Sequence, residues 1–300
     1  MKKHFLTIVA MATALLVVMA SCNNKKSRAD YDDEDDYDEE ELVEDDEDDE
    51  DEDDADQAFR VKSVKFTKSN ADAEMELEYD YPQNDGRVAD SVRAYLIGLE
   101  GKEDYTGSLR DGQAYINYIG NYKHEMLADE HQTDQATINE DREEGDDPFM
   151  LPTYSHSASC SLSDDEPGYV TYRCFTDDYM GGAHGMPYSF GVTFSKADGH
   201  RLYNILKNTE SSDFHRLVVD GLKSYFNEIG NDGDLDEWLL VPSAEITVPS
   251  ATPFLTKEGV CFIFGAYEIA PFAAGMPEFT VPYDKIRPFL TKEALRLIDD

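Results

Sequence analysis

Between residues 30 and 56, 22 of 27 side chains are carboxylates. No other feature restricts the fold as much. A run of that charge has almost nothing to bury and repels itself into an extended chain. Any packed structure must come from the residues after it. At ~3.3 Å per residue the run reaches on the order of 90 Å. Its plainest reading is a solvated spacer. A second is a polyanion that attracts cationic proteins, peptides or divalent ions.

The spacer follows an opening of secretory type. Lys2 and Lys3 precede an apolar stretch over residues 5–19, and Ala20 and Ser21 lead into Cys22. This is the order of a signal peptide. The stretch is short for a membrane span, which takes ~20 residues. With cysteine after small residues it resembles the bacterial lipoprotein signal, although Met19 stands where leucine is usual. That resemblance implies cleavage before Cys22, acylation of Cys22 with palmitate-type chains, and attachment to the cell envelope. The expected location is the outer membrane, on its periplasmic or its surface face. In some Gram-negative lineages acidic residues soon after the lipidated cysteine direct a lipoprotein to the surface; here Lys25, Lys26 and Arg28 intervene. The resulting segments are a signal at 1–21 and a lipidated acidic tether at 22–57.

Residues 58–300 hold 43 acidic and 21 basic side chains. So acidic a surface excludes nucleic acid, which demands a basic face. Three cysteines remain. Cys160 and Cys174 flank a segment with Asp-Asp-Glu-Pro-Gly in its middle, a strong turn signal. A hairpin there sets the two opposite each other, either as a disulfide in an oxidising envelope or as two buried thiols. Cys261 reads as a core thiol. No Cys/His spacing suggests a metal site.

Alternating residues over 61–81 predict two strands, with Met75, Leu77 and Tyr79 on one face. Val88, Val92, Tyr95, Leu96 and Leu99 fall at helical spacing. A second helix is expected over 112–131, then a polar loop over 133–148. Strands follow near 153–162, 168–177 and 188–195. A helix over 212–229 carries Phe214, Leu217, Val218, Leu222, Tyr225, Phe226 and Ile229 on one side and ends at Gly230. Short strands near 254–255 and 260–265 and small helices to the end complete an α+β class: antiparallel sheets with packed helices. Two closely associated modules are expected, 58–178 and 179–300.

The candidate site residues cluster in two places. His184 stands among Gly181, Gly182 and Gly185 after a strand. Such a histidine fixes a turn through a backbone carbonyl, binds a ligand, or acts as a base. Tyr267, Glu268, Pro271 and Gly275 form the second cluster, where Tyr267 and Glu268 can line a polar pocket. No second histidine or carboxylate stands at zinc spacing to His184. The Asn231–Trp238 stretch fails as a calcium loop, because Leu239 occupies the twelfth position. Trp238 is expected to pack on the domain. Neither a Gly-x-Ser-x-Gly elbow nor a phosphate loop is present, so no cofactor or catalytic residue is assigned.

Gly181-Gly182-Ala183-His184, then Tyr267 to Pro271, Gly275, and Pro282 with Tyr283, resemble the RsiV-like family of bacterial envelope domains over residues 179–300. The resemblance implies an extracytoplasmic module without established catalysis of its own. One branch of that family is the sensor of an anti-sigma factor and binds lysozyme. Another accompanies a peptidoglycan deacetylase domain. This chain shows neither an anti-sigma segment nor a deacetylase domain. The expected function is therefore a lipid-anchored, non-enzymatic binding protein for a cationic protein such as lysozyme or for a cell-wall glycan. The alternatives are a cell-wall hydrolase using His184 and Glu268, and a structural lipoprotein acting through its tail.

Overall fold

The computed structural model describes residues 58–101, 105–142, 147–231 and 233–299. The signal segment, Cys22 and the acidic tether lie outside the described residues. The described chain opens with a hairpin of β1 (Val61–Ser69) and β2 (Ala73–Pro82). Asn70 closes its turn by accepting the N–H groups of Asp72 and Ala73. Met75, Leu77 and Tyr79 are buried on one side of β2, while Glu74 and Glu76 are exposed on the other. The alternation thus becomes a dry face and a wet face.

Two helices follow, α1 (Arg87–Leu99) and α2 (Gly112–Glu140). They carry the chain back so that β3 (Tyr154–Asp165) pairs parallel to β2; parallel neighbours require such a crossover. β4 (Tyr169–Tyr179) and β5 (Met186–Ser195) continue antiparallel, giving the order β1-β2-β3-β4-β5. β5, which the sequence reading places in the C-terminal module, pairs with β4 along its whole length and belongs to this first sheet.

One expectation fails in α2. The polar stretch after residue 131 is helix as far as Glu140, not loop. Thr133 and Thr137 bond back to the carbonyls of Asp129 and Thr133. Gln132 reaches Asp72, and Gln135 holds the Phe149 carbonyl and the Leu151 N–H. Side-chain bonds, rather than an apolar stripe, hold this last part in place.

Cys160 and Cys174 are direct partners across β3 and β4 and are joined as a disulfide. Closing a loop of this size restricts the unfolded chain by about 3 kcal/mol in the chain-entropy account. Cys261 is a free, buried thiol. Burial, then the Glu278 charge, pushes it up to about 12.

The second half builds its own core. α3 (Ser212–Glu228) begins at Ser211, whose side chain accepts the Phe214 N–H. Its buried residues Phe214, Val218, Leu222 and Phe226 recur every fourth position, so one stripe faces inward. Each such side chain contributes roughly 1.5–3 kcal/mol on burial. They pack against a second sheet of β6 (Phe254–Thr256), β7 (Gly259–Ile263) and β8 (Glu278–Pro282). α4 (Tyr283–Ile286) and α5 (Lys292–Asp299) close the chain. The whole is an α+β fold with two mostly antiparallel sheets and two main cores. Trp238 is not packed away: it is 37% exposed, and Leu235 is the buried residue of its turn.

The sheets meet through a polar joint. Thr171 on β4 and Thr193 on β5 share a hydroxyl contact of 2.9 Å. Thr171 donates to the Leu255 carbonyl, and Thr193 accepts the Leu255 N–H. Beside them the Phe254 ring lies flat on Gly191, where a Cβ would meet ring carbons at 2.2 Å. Arg173 of β4 forks onto the Glu278 carboxylate of β8. Among the described residues no helix is long and apolar enough to cross a membrane.

Candidate functional site

The β4–β5 turn runs back on itself through Gly181 at φ 85° and Gly182 at φ 97°, values that other residues rarely adopt. The turn delivers His184 against the segment that begins at Tyr267. The His184 ring stacks on Phe272, with centroids 3.6 Å apart and planes 12° from parallel. Nδ1 lies 2.7 Å from the Gly185 carbonyl, which can only accept, so Nδ1 carries the proton. Nε2 is then the acceptor for the Tyr267 hydroxyl at 3.0 Å. Both ring nitrogens are engaged by the protein itself.

Tyr267 sits at φ 63° without being glycine. Such a conformation costs of order 1–3 kcal/mol and persists only where its surroundings impose it. The neighbouring residue supplies part of that constraint. Glu268 Oε2 accepts the Gly265 N–H at 2.6 Å, and Oε1 accepts the Ser250 N–H and hydroxyl at 2.7 and 2.8 Å. Pro271 opens a short 3-10 turn over Phe272–Ala274, which ends at Gly275 with φ 73°. Tyr225 of α3 holds that turn by donating to the Ala274 carbonyl at 2.6 Å.

The fold therefore brings Gly181, Gly182 and His184 together with Tyr267, and adds Phe272. Glu268 faces the other way, toward Ser250. Cys160 and Cys174 lie in the first sheet. Chemically, the arrangement is a latch between two loops: an aromatic stack, a histidine with both nitrogens occupied, and a carboxylate saturated by three donors. Among the described residues no group of three or more His, Cys, Asp or Glu side chains is placed to hold a metal ion. Replacing His184 with alanine removes the stack and two hydrogen bonds. We expect a loss of about 1–2 kcal/mol in denaturant unfolding, with a smaller loss for His184→Phe, which keeps the stack. Equal stability of both variants and the parent would show that the latch contributes nothing.

A second polar cluster escaped the sequence reading. Glu100, just past α1, is buried among Tyr79, Lys123 and His156. Tyr79 donates to it at 2.6 Å, Lys123 of α2 is in direct contact, and His156 Nε2 lies 3.6 Å away, an ion-pair distance. His156 Nδ1 contacts Asp178 at 2.6 Å. Burial alone would raise the Glu100 carboxyl, but His156 and Lys123 bring it down to about 2. Burial would lower His156, but Asp178 and Glu100 hold it up at about 9. The cluster ties α1, α2, β2, β3 and β4 together. Its signal was the parity of β3: His156 shares the inward face with Tyr154, Ala158 and Cys160.

On the opposite face of the first sheet, β4 and β5 carry the second sheet through Thr171, Thr193, Gly191 and Arg173, and the β1–β3 side is open. Glu74, Glu76, Glu78 and Asp80 stand in a row along β2, beside Ser155, Ser157 and Ser159 on β3 and the exposed Phe175 on β4. Lys65 pairs with Glu78 at 2.7 Å, and the hydrogen bond from Lys65 lowers the Glu78 carboxyl.

Residues 205–284 match a family model described as DUF3298, a protein of unknown function, so the chain carries a DUF3298 domain. The match covers α3, the second sheet and the Tyr267 segment. No curated protein matches the chain. Two crystal structures share the fold. One, of a DUF3298 family member from Bacteroides fragilis NCTC 9343, is 18% identical, with a TM-score of 0.59 over 79% of this chain and 95% of that one. The other, of a DUF3298 family protein from Pseudomonas aeruginosa PAO1, is 16% identical, with a TM-score of 0.54 over 80% and 98%.

Proposed function

We propose that this chain is an RsiV-like envelope protein, anchored through lipid on Cys22 and lifted from the membrane by its acidic tether. Its folded part binds a cationic protein, with lysozyme the first candidate. The observation that carries this reading is the carboxylate row on the open β1–β3 side of the first sheet. Successive carboxylates on one side of a strand lie roughly 7 Å apart, close enough to repel one another. Across β1 only Lys65 answers them at ion-pair distance among the described residues. A cationic partner relieves that repulsion and is steered toward it. The serines beside the row are short, so the face is accessible, and Phe175 supplies an apolar contact within it.

His184 and Glu268 favour binding over hydrolysis, because both spend their hydrogen-bonding capacity on neighbouring loops. The test is lysozyme binding by two soluble versions, residues 24–300 and 57–300, at physiological and at high salt. Saturable binding by 57–300 that survives salt supports recognition by the folded part, since screening removes loose charge attraction. Glu74→Gln with Glu76→Gln and Glu78→Gln should then weaken it at least tenfold. Binding only by the longer version, abolished by salt, would mean the tether acts as a generic polyanion. No binding by either would remove lysozyme from consideration.

A further inference from the structure

On the helix side of the first sheet, away from the carboxylate row, α1 and the turn after β5 enclose an open groove of about 760 Å³. After the turn, Arg201 bridges to Phe194 in antiparallel register. Partners in register face the same side, so Arg201 and, two residues on, Tyr203 both turn toward α1. Gly199 makes this approach possible. It sits at φ 72° so close to α1 that a Cβ would lie 2.7 Å from the Arg87 carbonyl oxygen.

The Arg201 guanidinium is held between two rings, 4.7 Å from the Tyr95 centroid and 4.6 Å from that of Tyr203. Tyr95 is braced from behind by the edge of Phe194, at 5.6 Å. Arg93, Arg110, Arg173, Arg216 and Arg287 each contact a carboxylate. Arg201 contacts none among the described residues, although acids outnumber bases two to one in this part of the chain. Its Nε is buried and makes no hydrogen bond. The carboxylate nearest in sequence, Asp198, is occupied with the His200 N–H at 3.1 Å.

With its faces covered by the two rings and Nε buried, the guanidinium presents its Nη groups to the groove. Its N–H donors then lie in one plane, matched to a planar anion that accepts two parallel hydrogen bonds. The geometry points to a binding site for the carboxylate of a small monoanionic ligand in the Tyr95–Arg201–Tyr203 groove. One cation with Asp198 at the rim suits a single charge better than a phosphate dianion. Tyr203, 54% exposed, and Ala94 offer apolar surface to the body of the ligand. A peptide C-terminus and an acidic sugar share this chemistry. The site does not depend on the cationic-protein reading, which concerns the other face.

The test uses the full chain in nonionic micelles with nitrogen-labelled arginine, following the Arg201 Nε–H signal by NMR. The probes are acetyl-alanyl-alanine and glucuronate, each with its amide, and inorganic phosphate. Saturable movement of that signal with an acid but not its amide is expected, and whichever acid acts identifies the source as peptide or sugar. Arg201→Gln should weaken that binding at least tenfold, read on the remaining groove signals. Tyr203→Ala, at an exposed position that leaves the fold intact, should weaken it several-fold. A signal unmoved by both acids, equal movement with the amides or phosphate, or undiminished binding by both variants would overturn the proposal and leave Arg201 as a packing clamp.

Discussion

Glu100→Gln should cost about 3 kcal/mol of stability at neutral pH, because it leaves the largely buried His156 and the partly buried Lys123 facing an uncharged amide. The pH dependence makes the origin of the loss visible. His156 has its folded pKa raised to about 9. Its contribution is complete below ~6.5, its unfolded value, and is lost as pH rises through about 9. Glu100 is lowered to about 2. Its contribution is complete above the ordinary carboxylate range and is lost as pH falls toward 2. Urea unfolding of the parent should therefore weaken between roughly pH 6.5 and 9, with a flatter curve for Glu100→Gln in that window. Parallel curves would mean that Glu100 does not hold the His156 proton.

Gly191→Val should be the most damaging change at the joint between the sheets. Valine suits a strand better than glycine does, so propensity alone predicts a gain. The Cβ, however, would enter the Phe254 ring at 2.2 Å, among the ring carbons bonded nearest the backbone. Overpacking of this kind typically costs about 1–3 kcal/mol, and here we expect the upper end, since the Leu255 backbone is fixed by Thr171 and Thr193. Phe254→Ala in the same chain should recover part of the loss. Additive effects of the two changes would exclude the clash as the cause.

These two sites show what the sequence disclosed and what it hid. The strands of the first sheet, α1 and α3 were legible because each buries one regular side: Met75, Leu77 and Tyr79 at period two, Phe214 to Phe226 at period four. The end of α2 was not, because no apolar stripe runs past His131 and its side-chain bonds go to residues 4 to 60 positions away. The parallel pairing of β2 with β3 was equally invisible, since strand composition carries no direction. The meeting of His184 with Tyr267 was not legible: the two short motifs stood as separate clusters, and neither pointed to Phe272 between them. Glu100 stands one residue past the last apolar position of the first helix, and only the fold puts it beside His156. The lack of a carboxylate beside Arg201 is a property of space, not of order along the chain.

The turn between β3 and β4 has a mechanical consequence. The Phe59 N–H is fastened to Asp165 at 2.8 Å, and Lys196 grips the same carboxylate at 2.6 Å. Three residues on, Gly168 lies under the Leu297 carbonyl, where a Cβ would come within 2.2 Å. Entry and exit of the folded region thus hang from one corner. A pull arriving at Phe59 loads that corner before it shears the β1–β2 pair, which begins two residues on. The same proximity means that residue 299 and residue 58 can be spliced through a short linker and the chain reopened in the exposed stretch around Met150, giving a circular permutant that keeps every strand pairing.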